Sequence, residues 1–394
     1  MADDVYDAAG LATNAGETFN DVDGVDWLVL SGSYSDASTL DLRNAFSDGV
    51  ATQAEAVIFH NGTTRTLWIN GLIENVRGSD SRDWIRGNQV NNILYGDQSE
   101  NGAGGIDTLR GEGGNDTIFG GSGNDDIDGQ ADDDLLYGND GNDNIVGGEG
   151  VDVIEGGAGA DTLDGGADAG DTVRYDSSDA GVSIALGTGY ATVSGGHAQG
   201  DQVYGFTDVN GSAFGDVIRD ALANSITNNL FSGEGGHDRL FLGGGNDTGL
   251  GGDGQDQISG QSGRDNLFGG AGGDSLTGGQ ASDFLVGGSG ADRFIFTLAS
   301  ESTVAVAGRD RIDDFNRAQG DKIDLRGMDA KSGAGNQAFI FIGSQAFDGD
   351  KGDLRFVKAG TNVVVQGDIN GDRKADFAIL VEDMTSLRAS DFLL

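Results

Sequence analysis

GGSGNDDID (residues 120–128), GGEGVDVIE (147–155) and GGAGADTLD (156–164) repeat one nine-residue pattern, G-G-x-G-x-D-x-U-x, in which U is a large aliphatic or aromatic residue. The phase holds without a gap for seven units, from Gly102 to Asp164. It returns for seven more from Gly233 to Ile295, where GGDGQDQIS (251–259) and GGAGGDSLT (269–277) keep it. Self-similarity at a short fixed period is the mark of a solenoid. A solvated linker is also rich in Gly, Asp and Asn, but it does not hold Asp in one phase across seven units.

Each position has a physical reason. Gly recurs where the backbone must take left-handed or crowded conformations that a side chain penalises. Six residues make a turn, and the last three make a short strand whose U residue points inward. Turn and strand complete half a coil, so eighteen residues complete one winding. Sixth-position Asp residues two units apart then share an edge. In the first array these are Asp107, Asp125, Asp143 and Asp161 on one edge and Asp116, Asp134 and Asp152 on the other. In the second they are Asp238, Asp256, Asp274 and Asp292, facing Asp247, Asp265 and Asp283.

Composition says what must join such a fold. The 394 residues include Gly 72, Pro 0, Cys 0 and His 3, and Asp+Glu 65 against Lys+Arg 23 gives a net charge of −42. Collagen is excluded without Pro. A chain this acidic repels phosphate backbones, which excludes nucleic-acid binding. Its self-repulsion opposes compaction, and a 37% hydrophobic content makes the cation-free chain a disordered polymer. Carboxylate and carbonyl oxygens in flexible turns suit calcium, which takes about 6–8 oxygens. Magnesium prefers tighter octahedra, and zinc wants His or Cys. No Cys means no disulfide and no thiolate site.

These runs resemble the nonapeptide repeats of the repeats-in-toxin (RTX) family. The resemblance implies an all-β chain with two parallel β-rolls and calcium ions held between turns of neighbouring coils by the sixth-position Asp residues and turn carbonyls. It implies that the fourteen Asp residues above are the ligands. The inward U residues would be Leu109, Ile118, Ile127, Leu136, Ile145, Ile154 and Leu163, then Leu240, Ile258, Leu267, Leu276, Leu285 and Phe294. Three units depart from the pattern, and weaker calcium binding is expected there. The one from Gly129 has Gln130 and Asp132 in place of Gly, the one from Leu242 lacks its first Gly and has Gly249 at U, and the one from Gly278 has Ala281 fourth. One ion per same-edge pair gives about ten ions, which would remove on the order of twenty negative charges.

A larger duplication encloses the arrays. GSDSRDWIRGNQVNNILYG (78–96) precedes the first and GSAFGDVIRDALANSITNNLFSG (211–233) the second; both read as entry coils in which the nonapeptide has decayed. Strand-rich stretches lie upstream of each, at about Asp26–Ile73 and Asp171–Asp208. The expected division is a β lead-in (1–77), a first roll (78–164), a second lead-in (165–210), a second roll (211–295) and a C-terminal region (296–394).

After Ile295 Gly thins, and the runs Phe339–Ile342, Leu354–Val357, Val363–Val365 and Phe377–Val381 read as strands of an antiparallel β cap. DRIDDFNRAQGDKIDL (from Asp310) and GDINGDRKADFAILVEDMTSLRASDFLL (from Gly367) resemble the C-terminal region of serralysin-type proteases. There this region caps the roll and carries an uncleaved signal for the type I secretion machinery, matched here by Asp391-Phe392-Leu393-Leu394. Asp368, Asn370, Asp372 and Asp376 place oxygens at alternate positions like a calcium loop, although Arg373 stands where Gly is usual.

The zinc motif H-E-x-x-H is absent, since His60, His197 and His237 are scattered singly, and there is no G-x-S-x-G. His237 falls at a variable fifth position and is expected on the surface. Trp27, Trp68 and Trp84 are expected to pack lead-in strands. The start has no basic region before an apolar run, and no stretch approaches the ~18 apolar residues of a membrane span. The sequence points to a secreted, calcium-binding, non-catalytic protein with a structural or interaction role toward a cell-surface, polysaccharide or host partner. A polysaccharide-modifying enzyme with its site in a lead-in, and a membrane-active toxin or bacteriocin, remain as alternatives.

Overall fold

The computed structural model describes residues 75–78, 80, 82–97, 104–221, 226–331 and 337–394, together with the backbone of six strands between 5 and 70. Gly102, Asp26, Ile73 and the side chains of Trp27, His60 and Trp68 lie outside the described residues. Among the described residues there is no α-helix, only three single-turn 3₁₀ segments, so none is long and apolar enough to cross a membrane. The chain forms two compact units, Met1–Ser178 with Thr188–Asp208, and Asp179–Gly187 with Val209–Leu394.

In the first unit every nonapeptide yields one strand, and strands two units apart pair in parallel. One sheet sets Ile85, Leu109, Ile127, Ile145 and Leu163 side by side in register. The other aligns Leu94, Ile118, Leu136, Ile154 and Val173. Register is fixed because a one-residue slip would turn each apolar side chain out to water. All ten are fully buried, each contributing about 1.5–3 kcal/mol relative to an exposed position.

The second unit repeats the design. Leu240, Ile258, Leu276, Phe294 and Ile323 line one sheet. Phe231, Gly249, Leu267, Leu285 and Ile312 line the other. The expected inward residues of both arrays are therefore the core. Trp84 pairs with Thr108 on an outward, half-buried position.

The turns show why Gly is needed. From Gly111 onward in the first array, and throughout the second, the second and fourth positions hold φ in the left-handed half of the map, as at Gly121 (φ 107) and Gly123 (φ 145). The irregular units keep that backbone at a cost: Gln130 has φ 81, Asp132 φ 72 and Ala281 φ 90. A β-carbon there is disfavoured by about 1 kcal/mol.

Beyond the second array, Asp353–Ala359, Asn362–Asp368 and Phe377–Val381 form an antiparallel sheet. The first tail run departs from expectation. Only Ile340–Phe341 is a strand, and it pairs in parallel with Asp353–Ala359. The loop 342–352 replaces the tight turn of a hairpin, so the chain returns in the same direction. The last strand, Phe392–Leu393, adds in parallel beside Lys322–Asp324.

Candidate metal sites along the turns

Asp125 shows the unit of construction. Its Oδ1 accepts the backbone N–H of Asp107 at 2.8 Å, while its own N–H donates to Oδ1 of Asp143 at 2.8 Å. The same bond joins Asp116 to Asp134, Asp134 to Asp152 and Asp143 to Asp161 at 2.8 Å. In the second array it joins Asp238 to Asp256, Asp247 to Asp265, Asp256 to Asp274 and Asp274 to Asp292 at 2.9 Å, and Asp265 to Asp283 at 3.0 Å. Each roll thus carries two carboxylate ladders, one per edge. Asp134, Asp247 and Asp283, from the three irregular units, are rungs like the others.

The second oxygen of each carboxylate is different. Oδ2 of all fourteen array Asp residues is buried with no hydrogen-bond partner, and the residues are 0–3% exposed. In twelve of the fourteen it faces the first-position Gly of its own unit; Asp107 Oδ2 faces Gly96, and the unit of Asp247 begins with Leu242. A β-carbon on Gly120 would lie 2.6 Å from Oδ2 of Asp125 and 2.8 Å from the carbonyl oxygen of Gly138 in the next coil. On Gly138 it would lie 2.3 Å from Asp143 Oδ2 and 2.4 Å from the Gly156 carbonyl. A carboxylate oxygen and a carbonyl oxygen therefore flank one small space that exists because the residue is Gly.

Electrostatics bear on what that space can hold. Burial, which penalises charge, pushes Asp107 up to about 9, Asp116 and Asp143 to about 8 and Asp134 to about 7. It likewise raises Asp238, Asp247, Asp265 and Asp283 to about 7. Backbone N–H donors oppose this, and neighbouring rungs add to it. Such oxygens need a proton or a cation. Among the described residues no three His, Cys, Asp or Glu side chains converge on one point, so carbonyls must complete any coordination shell. An oxygen-only shell of mixed carboxylates and carbonyls fits calcium and does not fit zinc.

The ladders run past the nonapeptides. Asp152 donates to Asp171 at 2.9 Å, Asp161 to Asp201 at 2.9 Å, Asp283 to Asp310 at 3.0 Å and Asp292 to Asp321 at 3.1 Å. At the entry ends Asp83 and Asn92 donate to Asp107 and Asp116, and Asp216 and Asn229 to Asp238 and Asp247. Period reading missed these because the connections lengthen or, at Asn229, one winding of 18 residues before Asp247, because Asn stands where the repeat has Asp. A shorter signal survives in all of them, an Asp or Asn two residues before a buried apolar side chain, as in Asp171–Val173 and Asp321–Ile323.

A second ladder runs outside the first. Fifth-position side chains accept the N–H one coil on: Asn124 from Asn142, Asn142 from Ala160, Asn228 from Asn246. His237 takes this role, its Nδ1 accepting from Gln255 at 2.8 Å on the exposed surface.

The tail loop is built otherwise. Asp368 is fully buried, and its two oxygens accept the N–H groups of Gly371 and Arg373 at 2.7 and 2.8 Å. Asp376 accepts from Ile369 and from the Asn370 amide, while Asn370 and Asp372 accept from Asp372 and Lys374. The loop's own donors occupy the carboxylates of Asp368 and Asp376, so the orphaned oxygen of the arrays does not recur in them.

Parallel coils with an Asp rung at every turn define a calcium-binding RTX protein with multiple ions, and residues 70–100, 101–136 and 137–170 match the RTX calcium-binding nonapeptide repeat. Residues 196–394 match the peptidase M10 serralysin C-terminal family, and the chain belongs to that family. No curated protein matches the chain. Among solved structures, the chain is similar to the AlgE6R3 subunit from the Azotobacter vinelandii mannuronan C5-epimerase, at 25% identity over 40% of this chain and 77% of that one, with a TM-score of 0.19.

Proposed function

We propose that this chain is exported by type I secretion and acts outside the cell as a calcium-dependent structural or interaction protein at a cell surface, matrix or host interface. The fourteen array Asp residues hold the calcium, and the segments 1–77, 78–164, 165–210, 211–295 and 296–394 serve as lead-in, roll, lead-in, roll and cap. The observation that carries this reading is the row of buried carboxylate oxygens without partners. In a chain of net charge −42 they make the metal part of the fold, so binding free energy becomes folding free energy. Where free calcium is scarce the chain stays open; on meeting calcium outside it closes.

Far-ultraviolet circular dichroism of the full chain, titrated with calcium from a chelated start, tests the mechanism. A cooperative gain of β signal that magnesium does not reproduce is expected. An identical spectrum in EGTA and in calcium would overturn it. For the role, fluorescently labelled protein should bind intact cells or matrix in calcium and not in EGTA; equal retention in both would sink the interaction reading.

A further inference from the structure

Both rolls end in the same asymmetric way. In each, the edge with four array Asp residues closes on a rung whose carboxylate is fully engaged. Asp201 Oδ1 accepts the N–H of Asp161, and its Oδ2 accepts the Tyr175 hydroxyl at 3.3 Å. Asp321 Oδ1 accepts the N–H of Asp292, and its Oδ2 accepts the N–H of Asn316 at 2.7 Å. The edge with three array Asp residues ends differently. Asp171 and Asp310 each accept the preceding rung through Oδ1, are 0% exposed, and keep Oδ2 buried without a partner.

Resting on the reading of the array carboxylates as calcium ligands, we infer that Asp171 and Asp310 hold one further calcium ion each, beyond the nonapeptide arrays, while Tyr175 and Asn316 end the opposite ladders by putting a protein donor where a cation would bind. A carboxylate with one oxygen tied to a backbone N–H and the other buried and open is what every array rung presents. Asp171 and Asp310 present it too, although the chain reaches them 19 and 27 residues after the preceding rung. A hydroxyl or amide N–H satisfies the second oxygen as a cation would, and removes the reason for binding one.

Acidic neighbours reinforce the open ends. Asp283 and Glu301 face Asp310, and burial with these charges pushes its carboxyl up to about 9. Both oxygens of Glu301 are held by Thr297, so it adds charge without quenching the open oxygen. Around Asp171 the neighbouring charges are Asp152, Asp168 and Asp208, and burial with them raises it to about 7.

The test is calcium stoichiometry of the full chain, by equilibrium dialysis against calcium with atomic emission counting. Asp171→Asn and Asp310→Asn keep the Oδ1 acceptor and should each bind one ion fewer. Asp201→Asn and Asp321→Asn should bind as many as the parent, and Asp143→Asn fewer. Unchanged counts in Asp171→Asn and Asp310→Asn beside a loss in Asp143→Asn overturn the extension and leave the array reading standing. No loss in Asp143→Asn removes the array reading and the extension with it. Should an Asn variant not fold, Tyr175→Phe decides: it opens Asp201 and should bind one ion more, and an unchanged count overturns the role given to Tyr175.

Discussion

Leu242 fills the space that Gly249 leaves. Gly249 sits in the core column between Phe231 and Leu267, where every other array unit has a large side chain. A β-carbon on it would lie 3.0 Å from Cδ1 of Leu242 and 2.8 Å from Cγ2 of Ile258. Leu242 holds a first position, where Gly is the rule, and is fully buried. Two departures from the repeat are one exchange of volume between neighbouring positions.

Leu242→Ala should therefore cost about 2–5 kcal/mol, since it empties a site with no side chain opposite to relax into it. Gly249→Leu alone should cost about 1–3 kcal/mol through overpacking. The double variant Leu242→Gly/Gly249→Leu restores the repeat and should be more stable than the sum of the two single changes predicts. Urea unfolding in saturating calcium measures all three; additive effects would show that the two residues do not share the space.

The raised carboxyls set a pH dependence whose sign follows from linkage. Aspartate titrates at 3.8 when free, whereas burial pushes Asp107 to about 9, Asp143 to about 8 and Asp152 and Asp161 to about 6 in the metal-free fold. The folded chain then binds protons more tightly than the unfolded one. This stabilisation is complete below about pH 4 and disappears as pH rises through 6 to 9. Calcium-stripped protein should accordingly gain β signal by circular dichroism on acidification from pH 8 to pH 5. Calcium titrations should need more metal below pH 6, because protons compete for the same oxygens. Loss of structure on acidifying the stripped protein would contradict the burial of these groups.

Much of the fold was legible because the backbone itself sets the period. Left-handed second and fourth positions favour Gly, although Glu112, Gln130, Asn139, Glu234 and Gln261 take second positions at positive φ, and an inward eighth position favours an apolar residue, so Leu109 through Phe294 could be placed from phase alone. The same logic put the array Asp residues on two edges. What phase could not show is where it breaks while the geometry continues. Asp201 follows Asp161 by 40 residues and Asp310 follows Asp283 by 27, and both remain rungs. The fifth-position acceptors also escaped, because Asn, Asp and His serve the outer ladder alike and the position looks variable. Ile340–Phe341 reads as a member of an antiparallel set because strand runs carry no record of the length of loop that reverses direction or restores it.

Ala281 and Asp132 both occupy fourth positions with positive φ, yet replacing them with Gly should give different results. Ala281 is exposed with φ 90, so Ala281→Gly relieves the backbone and should stabilise by about 0.5–1 kcal/mol. Asp132, with φ 72, uses its carboxylate to accept the N–H of Gly114 at 2.9 Å. Losing that bond costs about 1 kcal/mol, so Asp132→Gly should be near neutral. Urea midpoints in calcium at constant m-value distinguish the two; an equal gain in both would mean that the Asp132 hydrogen bond contributes nothing.

Arg317 holds the C-terminal strand through a two-pronged ion pair. Its Nε and Nη2 donate to the two oxygens of Asp391 at 2.7 and 2.6 Å, and Asp391 is 0% exposed. Burial alone would raise the Asp391 carboxyl; the guanidinium outweighs it and holds the group below its ordinary value. A depressed carboxyl stabilises above its unfolded value and loses that contribution as pH falls through the folded one. Acid below about pH 4 should therefore loosen this strand while leaving the protonated ladders in place. Arg317→Ala strands a buried carboxylate and should cost about 3 kcal/mol, visible as faster amide hydrogen exchange at Phe392 and Leu393. Arg317→Ala/Asp391→Asn removes both charges and should recover most of that loss. Exchange at Phe392 that stays as slow in Arg317→Ala as in the parent would show that the apolar contacts of Phe392, whose ring lies 5.1 Å from that of Phe341, hold the strand without the ion pair.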